Sequence, residues 1–213
     1  MIKAFIFDLD NCIFDTFSLG ALRLAPLWQA VDQLEQSGLL PGNIKAAVKD
    51  DLCRMSVLAV AGKYNLSEDS FKLLLVSMNN IRISGDIETY GDHEVIHRIL
   101  GSKFLVTGGA GHEEYQMSKI RALGIEKYFD EITMPEAGSK KPVFEQLAVR
   151  LGYAPKEFMV IGDNPESELA AGRELGMITV QTLRPRVAKV QGFDHYIESF
   201  KELPRIISHY EKS

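Results

Sequence analysis

Lys3-Ala4-Phe5-Ile6-Phe7-Asp8-Leu9-Asp10-Asn11-Cys12-Ile13-Phe14-Asp15-Thr16 is the stretch whose reading decides the fold. Its apolar start is a short continuous run of the kind a buried strand requires, and it stops at Asp8. Alternate side chains of an extended chain share a face, so Asp8 and Asp10 project together from the strand's carboxyl end. Two carboxylates so placed repel unless a cation sits between them or one is protonated. A hard divalent ion meets that need, and Mg2+ takes one or two carboxylates plus substrate phosphate. The stretch therefore predicts a phosphate-handling site at a strand's carboxyl end, where open α/β sheets bind ligands. The same residues also suit a plain turn, because Asp and Asn favour turns and N-caps. Partners elsewhere in the chain separate the two readings.

The chain has 213 residues, room for one large domain or for a core with an insertion. With 24 basic and 29 acidic residues its net charge is −5, which argues against nonspecific nucleic-acid binding. Two cysteines, Cys12 and Cys53, make neither a disulfide framework nor a Cys/His metal cluster, and they favour a reducing compartment. Met1-Ile2-Lys3 runs straight into the first strand, so no signal peptide is expected. Apolar runs such as Val57-Leu58-Ala59-Val60-Ala61 fall far short of a membrane span. A cytoplasmic protein with no membrane partner is the expectation.

Residues 16–85 read as helical. Leu27, Val31 and Leu34 form one stripe, and Ile44, Val48, Leu52 and Met55 a second that Leu58 and Ala59 continue. Phe71, Leu74, Leu75, Met78 and Ile81 form the third, with Ser67 as N-cap. From residue 86 onward, apolar strands alternate with helices: Phe104-Leu105-Val106, a short strand near Ile132, Phe158-Met159-Val160-Ile161, and Ile178-Thr179-Val180. A helix starting at Asn164-Pro165 and a C-terminal helix around residues 200–210 are also expected. Val95, Ile96, Ile99 and Leu100 share a helical face, and Leu-Gly pairs at 100–101, 123–124, 151–152 and 175–176 read as left-handed helix stops. Repeated strand–helix units of this kind predict a mostly parallel sheet.

Three polar groups stand at or near strand ends: Thr107 after the second strand, Asp163 after a later one, and Lys141 before a helix. In a parallel sheet they converge on Asp8 and Asp10. A carboxylate can then act as nucleophile, while a hydroxyl, the backbone N–H groups of Thr107-Gly108-Gly109 and an ammonium bind phosphoryl oxygens, and Asp163 completes a metal site.

In this order the segments resemble the motifs of the haloacid dehalogenase (HAD) superfamily. Asp8-Leu9-Asp10 with its strand is similar to the first motif, Thr107 to the second, Lys141-Pro142 to the third and Gly162-Asp163-Asn164-Pro165-Glu166-Ser167-Glu168 to the fourth. The resemblance implies a Rossmann-like α/β core, residues 1–15 and 86–213, with an all-helical cap, residues 16–85, inserted between the first two motifs. It implies that Asp8 is the nucleophile and Asp10 the general acid/base. Thr107, Gly108 and Lys141 would hold the phosphoryl group, and Mg2+ would be held by Asp8, Asp163 and the backbone carbonyl of Asp10. An acid at position 10 sets the chain with phosphatases and mutases, since the dehalogenase branch lacks one there. Asn11 and Cys12 replace the usual Gly-Thr, and the segment after Pro142 is shorter than the family pattern. Whether Lys140 or Lys141 reaches phosphate, and whether Glu168 assists the metal, stay open.

The leading expectation is a Mg2+-dependent phosphatase that hydrolyses a small phosphorylated metabolite through an aspartyl-phosphate. A phosphosugar mutase and a non-catalytic binding protein on the same fold are the alternatives. Asp15 reads as structural. Arg184 and Arg186 read equally as substrate contacts or a solvated pair, and the histidines make no metal-ligand spacing.

Overall fold

β1 (Ala4–Phe7) is buried along its whole length, and its residues divide between two apolar layers. Ala4 and Ile6 pack with Phe104, Val106, Phe144, Leu147, Phe158 and Val160 on one side. Phe5 and Phe7 pack on the other with Leu105, Met159 and Ile161. This alternation is the two-sided burial that a continuous apolar run predicts for a central parallel strand. The computed structural model describes residues 1–85, 87–108, 113–135 and 139–211.

The remaining strands are β2 (Ser102–Val106), β3 (Glu131–Thr133), β4 (Phe158–Gly162), β5 (Ile178–Thr182) and β6 (His195–Ile197). All pair in parallel, in the order β3-β2-β1-β4-β5-β6. The chain builds outward from β1 through β2 to β3, then crosses to the far side of β1 and builds outward again. β1 and β4 thus flank the point where strand order reverses, the crevice in which such sheets bind ligands. The architecture is the α/β, Rossmann-like one expected. β6 escaped the sequence reading because it is a three-residue edge strand with half-buried His195 and Tyr196.

The helices are α1 (Gly20–Arg23), α2 (Ala25–Gln36), α3 (Lys45–Asp51), α4 (Val57–Lys63), α5 (Glu68–Asn79), α6 (Glu94–Arg98), α7 (Glu113–Leu123), α8 (Lys141–Leu151), α9 (Glu168–Glu174) and α10 (Leu203–Glu211). Among the described residues between β1 and β2 no strand intervenes. Leu27, Ala30, Val31 and Leu34 of α2 are buried, as are Leu74 and Met78 of α5, in one cluster continuous with Phe5 and Phe7 beneath the sheet. Ser67 caps α5, its hydroxyl accepting from the Ser70 N–H at 3.2 Å.

Four expectations need correction. The second stripe is not one helix: α3 ends at Asp51 and α4 begins at Val57, with the Ser56 hydroxyl capping it through the Ala59 N–H. That restart turns the stripe, so Val57, Val60 and Ala61 are buried while Leu58 is exposed. α6 stops at Arg98, leaving Leu100 exposed; Gly101 there is not a helix stop but a close approach, since a Cβ would lie 2.6 Å from the Lys3 carbonyl. The other three Leu-Gly glycines have φ of 64°, 66° and 73° and do end helices. Finally, α9 starts at Glu168, because Asn164 Oδ1 accepts from the Glu166 N–H at 2.9 Å and closes a turn ahead of the helix. No helix among the described residues is long and apolar enough to cross a membrane.

Candidate active site

Asp8 follows β1 directly and stays in the ladder, its N–H donating to the Ile161 carbonyl at 3.0 Å. Asp163 follows β4, the neighbouring strand, so sheet register alone brings the two acids to one rim. Glu168, at the start of α9, is buried beside them, and oxygens of Asp8, Asp163 and Glu168 lie within 4.8 Å of one another. Lys140 Nζ, also buried, donates to Asp8 Oδ1 at 2.7 Å and to Glu168 Oε2 at 2.9 Å. The other Glu168 oxygen accepts from the Asn164 N–H at 2.7 Å. Gly162 makes room for this carboxylate: a Cβ there would stand 2.2 Å from Glu168 Oε1.

Within this group one ammonium faces three carboxylates. Burial pushes Asp8 up to about 6 against the pull of Lys140, with Glu168 and Asp10 adding to the rise. Burial, then the charges of Glu168 and Asp8, raise Asp163 well above the ordinary carboxylate range. Lys140 goes upward, because Asp8 and Glu168 outweigh the burial that would lower it. A group of hard oxygen donors with surplus negative charge fits a divalent cation of the Mg2+ type.

Asp10 is set apart from that group. Its Oδ1 accepts from the Thr16 hydroxyl at 2.8 Å and from Lys119 Nζ, and its Oδ2 accepts from Gln116 Nε2 at 2.8 Å. Burial alone would raise this carboxyl, but Lys119, Gln116 and Thr16 hold it below its ordinary value. Thr107 lines the same cavity as these two groups, and its buried hydroxyl has no hydrogen-bond partner among the described residues. A buried orphan of this kind calls for a ligand or water, and here it borders the cavity. The cavity encloses about 350 Å³, and residues 52–56 between α3 and α4, with Met78 of α5, line its helical side.

The whole chain aligns with the whole of glyceraldehyde 3-phosphate phosphatase from Methanocaldococcus jannaschii, at 25% identity. A HAD phosphatase from Thermococcus onnurineus superposes with a TM-score of 0.61 at 20% identity, covering 97% of this chain and 98% of that one. The HAD hydrolase YfnB from Bacillus subtilis, in a magnesium-bound crystal form, gives 0.64 at 18% identity over the same shares. The chain is thus similar over its whole length to a phosphatase, and it shares its fold with solved HAD hydrolases. No protein-family profile matches it.

Of the residues assigned from HAD motifs, the structure brings Asp8, Asp10, Thr107, Gly108 and Asp163 to one cavity. Lys141 is not among them. Its Nζ bonds Glu174 at 2.8 Å on the exposed side of α8, and Lys140 points inward in its place. Neighbouring residues at a helix start face different ways, so only one lysine of a pair can reach the site. Gly109 and His112 lie outside the described residues.

Three residues of the site were not foreseen as such, Thr16, Gln116 and Lys119, while Lys140 was one of the two lysines left open. Gln116 and Lys119, three apart, sit on a buried face of α7 with Tyr115 and Ile120. A lysine on a buried face signals a partner, but the partner's identity needs the tertiary contact. Neither arginine lines the cavity: Arg184 is buried against Asp92, and Arg186 lines a neighbouring cavity, 3.4 Å from Asp15. Asp15 Oδ1 accepts from the Phe17 N–H, a structural cap as expected. Asn11, at φ 55°, donates to the Cys53 carbonyl across the cavity's helical side.

Proposed function

We propose that this protein is a Mg2+-dependent phosphatase of the HAD superfamily that hydrolyses a small phosphorylated metabolite through an aspartyl-phosphate on Asp8. One observation carries the reading: Asp8 stands in a group with surplus negative charge, beside an acid, Asp10, held by a separate set of donors. The full-length likeness to a phosphatase supports the reaction class, and a magnesium-bound structural relative supports the ion. A relative named for a three-carbon phosphate, and a cavity at the small end of ligand pockets, support a small substrate.

Asp8, Asp163 and Glu168, with the Asp10 carbonyl, would hold Mg2+, which when bound neutralises acid and phosphoryl charge alike. Lys140 lies against the nucleophile and offsets the charge of the phosphoryl group that arrives there. The Thr107 hydroxyl, without a partner among the described residues, donates to a phosphoryl oxygen. Asp8 attacks phosphorus, the ester bond breaks, and the leaving oxygen takes a proton from Asp10. Asp10 then takes a proton from the water that attacks the phosphoaspartate, which releases phosphate and restores Asp8. A bound phosphoryl dianion raises the proton affinity of Asp10 by like-charge repulsion, which lets that carboxyl begin the first step protonated. Residues 16–85 serve as the cap, shielding the acyl phosphate from bulk water, over a core of residues 1–15 and 86–213.

The test is phosphate release from p-nitrophenyl phosphate and glyceraldehyde 3-phosphate with Mg2+. Turnover that falls by about 10⁴-fold or more in Asp8→Asn is expected. Equal rates in the two proteins would remove Asp8 from the chemistry.

A further inference from the structure

Resting on that reading, we propose that Lys119 and Gln116 are positioning residues that hold the Asp10 carboxyl in place for proton transfer to and from the leaving group. Lys119 is 0% exposed, a depth at which a lysine is kept only with a partner. Its partner is Asp10. The Tyr115 ring centroid lies 4.4 Å from the ammonium and the Phe14 centroid 5.9 Å, so aromatic faces fix the lysine's course to the acid. One turn earlier on α7, Gln116 donates to the other oxygen of the same carboxyl. Gly108 accommodates that side chain: its φ is 72°, and a Cβ there would press to 2.8 Å on Gln116 Cγ.

Both oxygens of Asp10 are thus engaged from α7, distant in sequence, and Oδ1 also from nearby Thr16, where the helical insertion begins. A pair serving stability alone could form with any acid. Here three donors converge on the one carboxylate that stands apart from the Asp8, Asp163 and Glu168 group. The structure assigns α7 a part in the reaction that the HAD motifs do not describe.

The experiment compares Lys119→Met and Gln116→Met with wild type by kcat/KM in Mg2+, using p-nitrophenyl phosphate and glycerol 3-phosphate. Nitrophenolate leaves without a proton, whereas the alkoxide of glycerol needs one. The expected loss is on the order of 10- to 100-fold for the alkyl ester and only a few-fold for the aryl ester. Lys119→Met added to Asp10→Asn should cost nothing further, since both act through one group. Equal losses on the two esters, or multiplying effects in the double variant, would overturn the proposal. If burial of the charge makes Lys119→Met fail to fold, Gln116→Met carries the same comparison. A crystal structure of Gln116→Met reads position without turnover: the Asp10 carboxyl should leave its seat, and an unmoved Asp10 defeats the proposal. Wild type inactive on both esters would instead defeat the phosphatase reading and leave that crystallographic result to decide the positioning.

Discussion

Two of the buried ionic groups among the described residues are built from the same ingredients to opposite ends. In the first, Arg184 donates to both oxygens of Asp92 at 2.8 Å, and to the carbonyls of Cys12 and Glu198 at 2.9 Å. Asp92 also accepts from the Ser199 hydroxyl and the Phe200 N–H, each at 2.8 Å, and the guanidinium lies 4.6 Å from the Tyr90 and Phe200 ring centroids. One cation meets one anion, and the two side chains bond each other and their neighbours. In the second, Lys140 meets Asp8, Glu168 and the neighbouring Asp163, and one positive charge is too few. The balanced group ties β5 to the C-terminal segment and leaves nothing over to bind. The unbalanced one is stable only with its acids partly protonated or with a cation added, and that deficit makes it a site.

The comparison breaks first at Arg184. Arg184→Met strands Asp92 without its counter-charge and should cost about 3–5 kcal/mol of stability, read as a lowered urea midpoint with or without Mg2+. A variant that melts like wild type yet has lost turnover would move Arg184 from the scaffold to the site.

Next in size is the pH response of the metal-free protein, where the two groups act with opposite sign. The folded-state value of Asp8 is raised to about 6. Between roughly pH 4 and 6 the folded state therefore keeps a proton that the unfolded chain has released, and stability falls as pH rises through that window. The Asp8 share is about 2–3 kcal/mol. Asp92 runs the other way. Burial would raise it, but Arg184, Ser199 and Phe200 hold it low, so its contribution is present at neutral pH and lost on acidification. In EDTA, Asp8→Asn should therefore gain stability over wild type at pH 7.5 and lose that advantage at pH 4. An advantage that persists unchanged at pH 4 would show that Asp8 is not strained by its neighbours.

The smallest effect is expected at Lys141. Its pair with Glu174 is exposed, so Lys141→Met should change stability by no more than about 1 kcal/mol and leave turnover intact. A loss on the scale of Asp8→Asn would return the phosphate role to this lysine.

Legibility followed the range of the interactions. Asp8, Asp10 and Asp163 were readable because each follows or ends a short apolar run, a local pattern, and parallel pairing then places strand ends together. Thr107 was readable for the same reason. Lys140 against Lys141 was undecidable locally, because the phase of α8 against the sheet chooses between them. Gln116 and Lys119 stood in a plain helical pattern whose inward face is visible only once α7 packs beside the end of β1. The break at residues 52–56 was hidden by an apolar period that survives the interruption, although those residues line the cavity.

By itself the amino-acid sequence determined the alternation of strands and helices, the helical insertion after the first strand and the acids at the strand ends, since periodicity and turn chemistry act over a few residues. Which cations face which acids was decided only by the tertiary structure. Burial multiplies the strength of a charge contact and its cost if unmet, and the packing of elements far apart in the chain determines which pairs are buried together.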